Sequence, residues 1–176
     1  MQALAVFCGS RSGNNQLYRE HAVSLAKLMV ENNISLIYGG GSNGLMGAVA
    51  NTVMNDGGKA IGVIPQVLVK WEHQHTGLTE LKVVEDMHVR KRMMYELCDA
   101  AIVLPGGFGS MDELFEMLTW NALKIHDKPV FLLNSAGFYD PLISMMHYMF
   151  QSEFLYDTVE NKIIILQEPQ ELLQYL

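Results

Sequence analysis

Residues 105–113, Pro-Gly-Gly-Phe-Gly-Ser-Met-Asp-Glu, bring together an anion seat and an acid. The apolar run Ala100 to Leu104 leads into the glycine turn, and a helical pattern follows it. Backbone N–H groups bared at such a helix start can hold a phosphate. Gly106, Gly107, Gly109 and Ser110 form that seat, and Glu113 places a carboxylate about one helical turn away. A second glycine turn follows another apolar run, and its Gly40, Gly41, Ser42 and Gly44 offer a seat of the same kind. Either turn alone is explained equally well by the freedom of glycine to make tight turns. Two of them beside a placed acid argue for chemistry on a phosphorylated small molecule.

Glu113 and Glu116 are three residues apart and share a helix face, a separation that working carboxylate pairs use. The helix is expected to begin near Ser110, so the helix dipole accounts for an acid at Asp112. Leu114, Phe115, Met117 and Leu118 are then expected on the buried sides. The preceding helix begins with Asp86-Met87-His88-Val89-Arg90-Lys91-Arg92. The dipole disfavours Arg90 near a helix N-terminus, so local helix stability does not explain it. Arg90 is either a surface arginine or a guanidinium turned toward the strand edge, holding a phosphate or orienting a carboxylate. Lys91 and Arg92 are expected in solvent, with Met93 and Met94 packed.

Other chemistries lack their residues. The first strand ends in Cys8-Gly9-Ser10-Arg11-Ser12-Gly13, which is not the dinucleotide fingerprint, and no Gly-Lys-Ser/Thr phosphate loop occurs. The histidines are scattered, with no H-E-x-x-H and no paired cysteine spacing, and there is no G-x-S-x-G elbow. No metal and no cofactor is expected.

The elements that must position these residues alternate along the chain. Strands are expected at Ala3 to Cys8, Ile34 to Tyr38, Ala60 to Ile64 (closed by Pro65), Leu81 to Val84, up to Leu104, Pro129 to Leu133 and Ile163 to Leu166. Helices are expected through Tyr18–Met29, Leu45 to Met54, Asp86 to Cys98, from near Ser110 toward Ile125, and from near Tyr139, with Pro169 opening a last short one. Residues 65–80, with Trp71, His73 and His75, are the least regular part. The pattern implies a parallel sheet covered on both faces: a single-domain, Rossmann-like three-layer α/β sandwich with a mostly parallel sheet, spanning residues 1–176. Right-handed crossovers gather both glycine turns at the carboxyl edge of the sheet, where ligands bind.

A chain of 176 residues suffices for one filled core. The net charge of −7 disfavours a nucleic-acid partner, and Arg90-Lys91-Arg92 is the one dense basic cluster. No apolar run reaches membrane-spanning length, and Met1 to Leu4 lacks the basic start of an export signal. Cys8 and Cys98 read as buried thiols of a reducing compartment, so a cytoplasmic location is expected.

The 105–113 segment resembles the P-G-G-x-G-T-x-x-E signature of the LOG proteins, the cytokinin-activating phosphoribohydrolases. The resemblance continues through Val6-Phe7-Cys8-Gly9-Ser10, Tyr38-Gly39-Gly40-Gly41-Ser42, Gly44-Leu45-Met46-Gly47, Met87-His88-Val89-Arg90-Lys91, Thr119-Trp120 and His126-Asp127-Lys128-Pro129-Val130. It implies hydrolysis of the N-glycosidic bond of adenosine 5′-monophosphate or its N6-modified forms, releasing free base and ribose 5-phosphate. By motif match it implies Arg90 and Glu113 as the catalytic pair. Gly9, Ser10, Met87, Lys91 and Glu116 join the glycine turns in substrate binding, and the protein is at least a homodimer. Ser110 stands where threonine is usual and keeps a hydroxyl to cap the helix and bond a phosphate oxygen; Asp112 stands where glutamate is frequent. An older lysine decarboxylase label on some relatives has no counterpart here in a pyridoxal-phosphate lysine with its ring-nitrogen acid. Met87, Met93 or the segment near Trp71 would give apolar room beyond N6. The rival readings are a non-catalytic AMP-binding or sensing protein and a phosphoribosyl or nucleotide-sugar transferase.

Overall fold

The computed structural model describes residues 1–69 and 74–176. Seven strands, β1 (Ala3–Phe7), β2 (Ser35–Tyr38), β3 (Ala60–Pro65), β4 (Glu80–Val84), β5 (Ala100–Val103), β6 (Val130–Leu133) and β7 (Ile164–Leu166), form one sheet in the order β4-β3-β2-β1-β5-β6-β7. Every neighbouring pair is parallel. The helices are α1 (Gln16–Glu31), α2 (Gly44–Asn55), α3 (Met87–Leu97), α4 (Phe108–Ala122) and α5 (Asp140–Gln151), with a 3-10 helix at Pro169–Tyr175. Trp71 and His73 lie outside the described residues.

Strand periodicity divides the core in two. Along β1, Leu4 and Val6 face α1 and α2, where they meet Leu25 and Val49; Ala5 and Phe7 face the opposite layer, with Met94, Leu114 and Met146. Both faces of each central strand are therefore apolar, as a doubly covered parallel sheet requires. After β1 the chain winds outward to β4 and returns through α3 to β5, on the other side of β1. The loops after β1 and β5 thus diverge, leaving a crevice at their carboxyl ends.

Pro65 belongs to β3 instead of closing it: it pairs with Val84 at the last rung, and the Gln66 N–H then donates to the Val84 carbonyl at 2.9 Å. The α4 boundary also differs from expectation. Gly107, in extended backbone, precedes the helix, which starts at Phe108. Ser110 therefore lies inside the first turn, buried over Gly106, and is not the cap. Asp112 falls in the second turn, so the dipole does not account for it, and Phe115 is exposed where burial was expected.

One glycine holds the two halves of the crevice edge together. Gly44 opens α2 at φ +59°, and a Cβ there would stand 2.4 Å from the Arg11 nitrogen and the Ser10 carbonyl carbon. Both the backbone angle and the space demand glycine. Gly44→Ala is expected to lower unfolding free energy by about 2–4 kcal/mol through strain and overpacking, read as a lower urea midpoint at unchanged slope.

Candidate active site

A cavity of about 240 Å³ opens at the carboxyl ends of β1 and β5. Arg90 and Glu113 both line it, only 5% and 9% exposed. Arg90 comes from the start of α3, whose first turn is set by Asp86: its carboxylate accepts from the His88 and Val89 N–H groups at 2.8 and 2.9 Å. These bonds, the Val89 one foremost, hold the Asp86 carboxyl below its usual range. The Arg90 side chain turns inward, and Nη2 donates to the Gly39 carbonyl at 3.4 Å. Of the two sequence alternatives, the strand-edge orientation is the one realised.

Gly39 is a residue that sequence reading passed over in favour of its neighbours. A Cβ on it would meet Arg90 Nη2 at 2.1 Å, so the guanidinium lies directly against its backbone. The signal was present, since Gly39 begins the same triple glycine, but nothing local distinguishes which of the three must be bare.

Glu113 is carried one turn into α4, beside Cys8 at the end of β1. Burial, and then the Glu113 charge, push the Cys8 thiol far above its ordinary range, which keeps it protonated and inert. Gly107, Gly109 and Ser110 line the cavity with Phe108. Among the described residues, no acceptor bonds the N–H groups of Phe108, Gly109 and Ser110, whereas Met111 N–H already bonds the Gly107 carbonyl at 3.1 Å. This helix start is open to an anion.

The other glycine turn is closed by the protein itself. The Gly9 carbonyl accepts from Leu45 and Met46 N–H at 3.0 and 3.4 Å, consuming donors at the α2 start. Gly40 accepts from His75 N–H at 2.9 Å, and Gly41 bridges to Gln74. Gly40, Gly41, Ser42 and Gly44 are accordingly not in the cavity lining; Gly9 and Ser10 are.

Lys91 is the clearest departure from expectation. It is 8% exposed, not in solvent, with Nζ 3.0 Å from Asp112 and 2.6 Å from Glu116. Burial lowers its proton affinity, but the two carboxylates outweigh this and leave it raised. Lys91 and Glu116 flank the cavity without lining it. Met87 does line it, with Leu68 and Phe108 (96% exposed) adding apolar surface; Met93 instead packs against the core.

This arrangement defines the class: a doubly wound, Rossmann-type α/β protein with a crevice at its switch point. The family profile described as "Possible lysine decarboxylase" matches residues 46–176. A probable cytokinin riboside 5′-monophosphate phosphoribohydrolase of Oryza sativa subsp. japonica is 44% identical over 173 residues, covering 98% of this chain and 71% of the relative. A cytokinin riboside 5′-monophosphate phosphoribohydrolase of Arabidopsis thaliana is 43% identical over 98% of this chain and 81% of its own length. The chain belongs to this LOG family. Solved structures of the Moco carrier protein of Chlamydomonas reinhardtii (TM-score 0.71, 17% identity, 99% of both chains) and the molybdenum cofactor binding protein of Rippkaea orientalis (TM-score 0.73, 20% identity, 99% of this chain and 94% of that one) share the fold.

Proposed function

We propose that the protein hydrolyses the N-glycosidic bond of adenosine 5′-monophosphate or an N6-modified form of it, giving free base and ribose 5-phosphate. One observation carries this reading: a buried arginine and a buried glutamate, from different helices, enter one cavity beside an unbonded helix start. The 5′-phosphate sits on the amides of Phe108, Gly109 and Ser110, where the helix dipole favours negative charge. Positive charge then develops at C1′ and the ring oxygen as the bond to the base breaks. The Glu113 carboxylate stabilises that charge and takes a proton from the attacking water. Water's hydroxyl ends on C1′, and the departing base gains one proton. Arg90 orients the phosphate or the carboxylate from its place against Gly39.

The apolar rim of Leu68, Met87 and Phe108 suits a hydrophobic N6 substituent. The reading extends to a homodimer, because the outer side of α4 leaves Phe108 and Phe115 exposed beside half-buried Met111 and Leu118. It also extends to the cytoplasm, where the free Cys8 and Cys98 stay reduced. No helix among the described residues is long and apolar enough to cross a membrane.

The test is incubation of the purified protein with AMP, IMP, GMP, CMP and isopentenyladenosine monophosphate, quantifying each free base. Adenine or isopentenyladenine is expected in excess over the other bases. Nucleotide binding without release of any base would favour the non-catalytic sensor.

A further inference from the structure

The distance between Arg90 and Glu113 is set by neither helix alone. α3 and α4 pack on the sheet more than on each other, so side chains must bridge them. The residue after Arg90 and the residue before Glu113 do so: Lys91 Nζ lies 3.2 and 3.0 Å from the two Asp112 oxygens, and 2.6 Å from Glu116 one turn further along α4. One turn along α3, the Tyr95 hydroxyl donates at 3.3 Å to Glu116 and at 3.3 Å to the main-chain carbonyl of Glu113 itself. Tyr95 is held in turn by edge-on contacts with Phe7, at 6.2 Å between ring centres, and Trp120, at 4.8 Å. Lys128 bonds the Tyr95 and Cys98 carbonyls at the end of α3, fixing that helix from the other side.

We infer that Lys91, Tyr95 and Glu116 are positioning residues: they clamp α3 to α4 so that Arg90 and Glu113 face one cavity, and they do not touch the nucleotide. The inference rests on Arg90 and Glu113 as the reacting pair. Three features favour it over direct substrate contact. Lys91, Tyr95 and Glu116 are all outside the cavity lining, Lys91 already has two carboxylates to satisfy its ammonium, and the clamp ends on the backbone of Glu113. Without Lys91, Asp112 and Glu116 would stand as uncompensated like charges on α4, and the spacing of Arg90 and Glu113 would loosen while the phosphate seat at the start of α4 stays in place.

The experiment compares Lys91→Met, Glu116→Gln, their double variant, Lys91→Arg and Tyr95→Phe. The readouts are kcat and KM for base release from AMP, melting temperature, and the AMP dissociation constant by calorimetry in a Glu113→Gln background. Lys91→Met is expected to lower kcat about tenfold to a hundredfold, the loss that a displacement near 1 Å produces. The AMP dissociation constant stays unchanged, and Lys91→Arg recovers most of the rate. The double variant is no slower and melts no lower than the worse single one, because both remove one clamp. A dissociation constant weakened more than about tenfold, as loss of a charged phosphate bond would give, overturns the inference. So does additivity in the double variant, or an unchanged kcat. Should Lys91→Met fail to fold, Tyr95→Phe, which removes a single oxygen, decides by the same split. If the wild-type protein releases no base, the glycosidic reading falls, while binding and melting of the same variants still judge the clamp.

Discussion

Glu113→Gln is expected to cut base release from AMP by about a thousandfold, roughly 4 kcal/mol of transition-state stabilisation, with AMP still bound. Glutamine keeps the shape of a side chain that is 9% exposed and tightly enclosed, so the cavity persists. What it loses is the negative charge that opposes the cationic sugar, and the basicity that takes water's proton. Both losses act on the transition state and leave the ground state almost untouched, so kcat carries the effect and KM does not. Single-turnover base release with parallel calorimetry separates the two. Turnover within tenfold of the wild type would remove Glu113 from the reaction and leave the cavity as a binding site only.

The second large effect is expected from a residue with no side chain. A Cβ at Gly39 would fall 2.1 Å from Arg90 Nη2, 3.3 Å from its Cζ and 3.4 Å from Met46 Sδ. Every one of these atoms belongs to a side chain, so the backbone need not move and Arg90 is what yields. Gly39→Ala is therefore expected to fold, with a stability change within about 1 kcal/mol of zero, since reduced freedom of the unfolded chain offsets part of the crowding. Its base release is expected to fall about a hundredfold, as for a catalytic group displaced by 1 Å. The matching measurement is a cycle with Arg90→Ala: once the guanidinium is gone, adding Gly39→Ala should cost nothing more. Independent, additive losses would mean that Gly39 acts on the nucleotide directly.

Both predictions mark how far local sequence carries. Arg90 with Glu113 as the chemical pair was implied only by the family resemblance, whereas the alternation of strands and helices and the glycine turns at one sheet edge were legible from residue types and spacing. Their signals lie within one strand or one helical turn, where period and capping are encoded by near neighbours. The same local reasoning misplaced Lys91 in solvent, began α4 at Ser110 and assigned Asp112 to the helix dipole. Lys91 meets Asp112 across 21 residues, and Arg90 meets Gly39 across 51. No propensity encodes such pairs.

Sheet order decided them. Placing β5 beside β1 brings the 105–110 turn against Gly9, and the Gly9 carbonyl then fills the donors at the start of α2 while those of α4 stay open. From composition and spacing the two glycine turns were equivalent anion seats; in the folded chain one is closed by backbone and the other faces the cavity. The chain's own pattern determined which groups are available for chemistry. Tertiary structure alone decided which of them remain unbonded and which face each other, because hydrogen bonds and charge pairs form between elements only after the strands have taken their order.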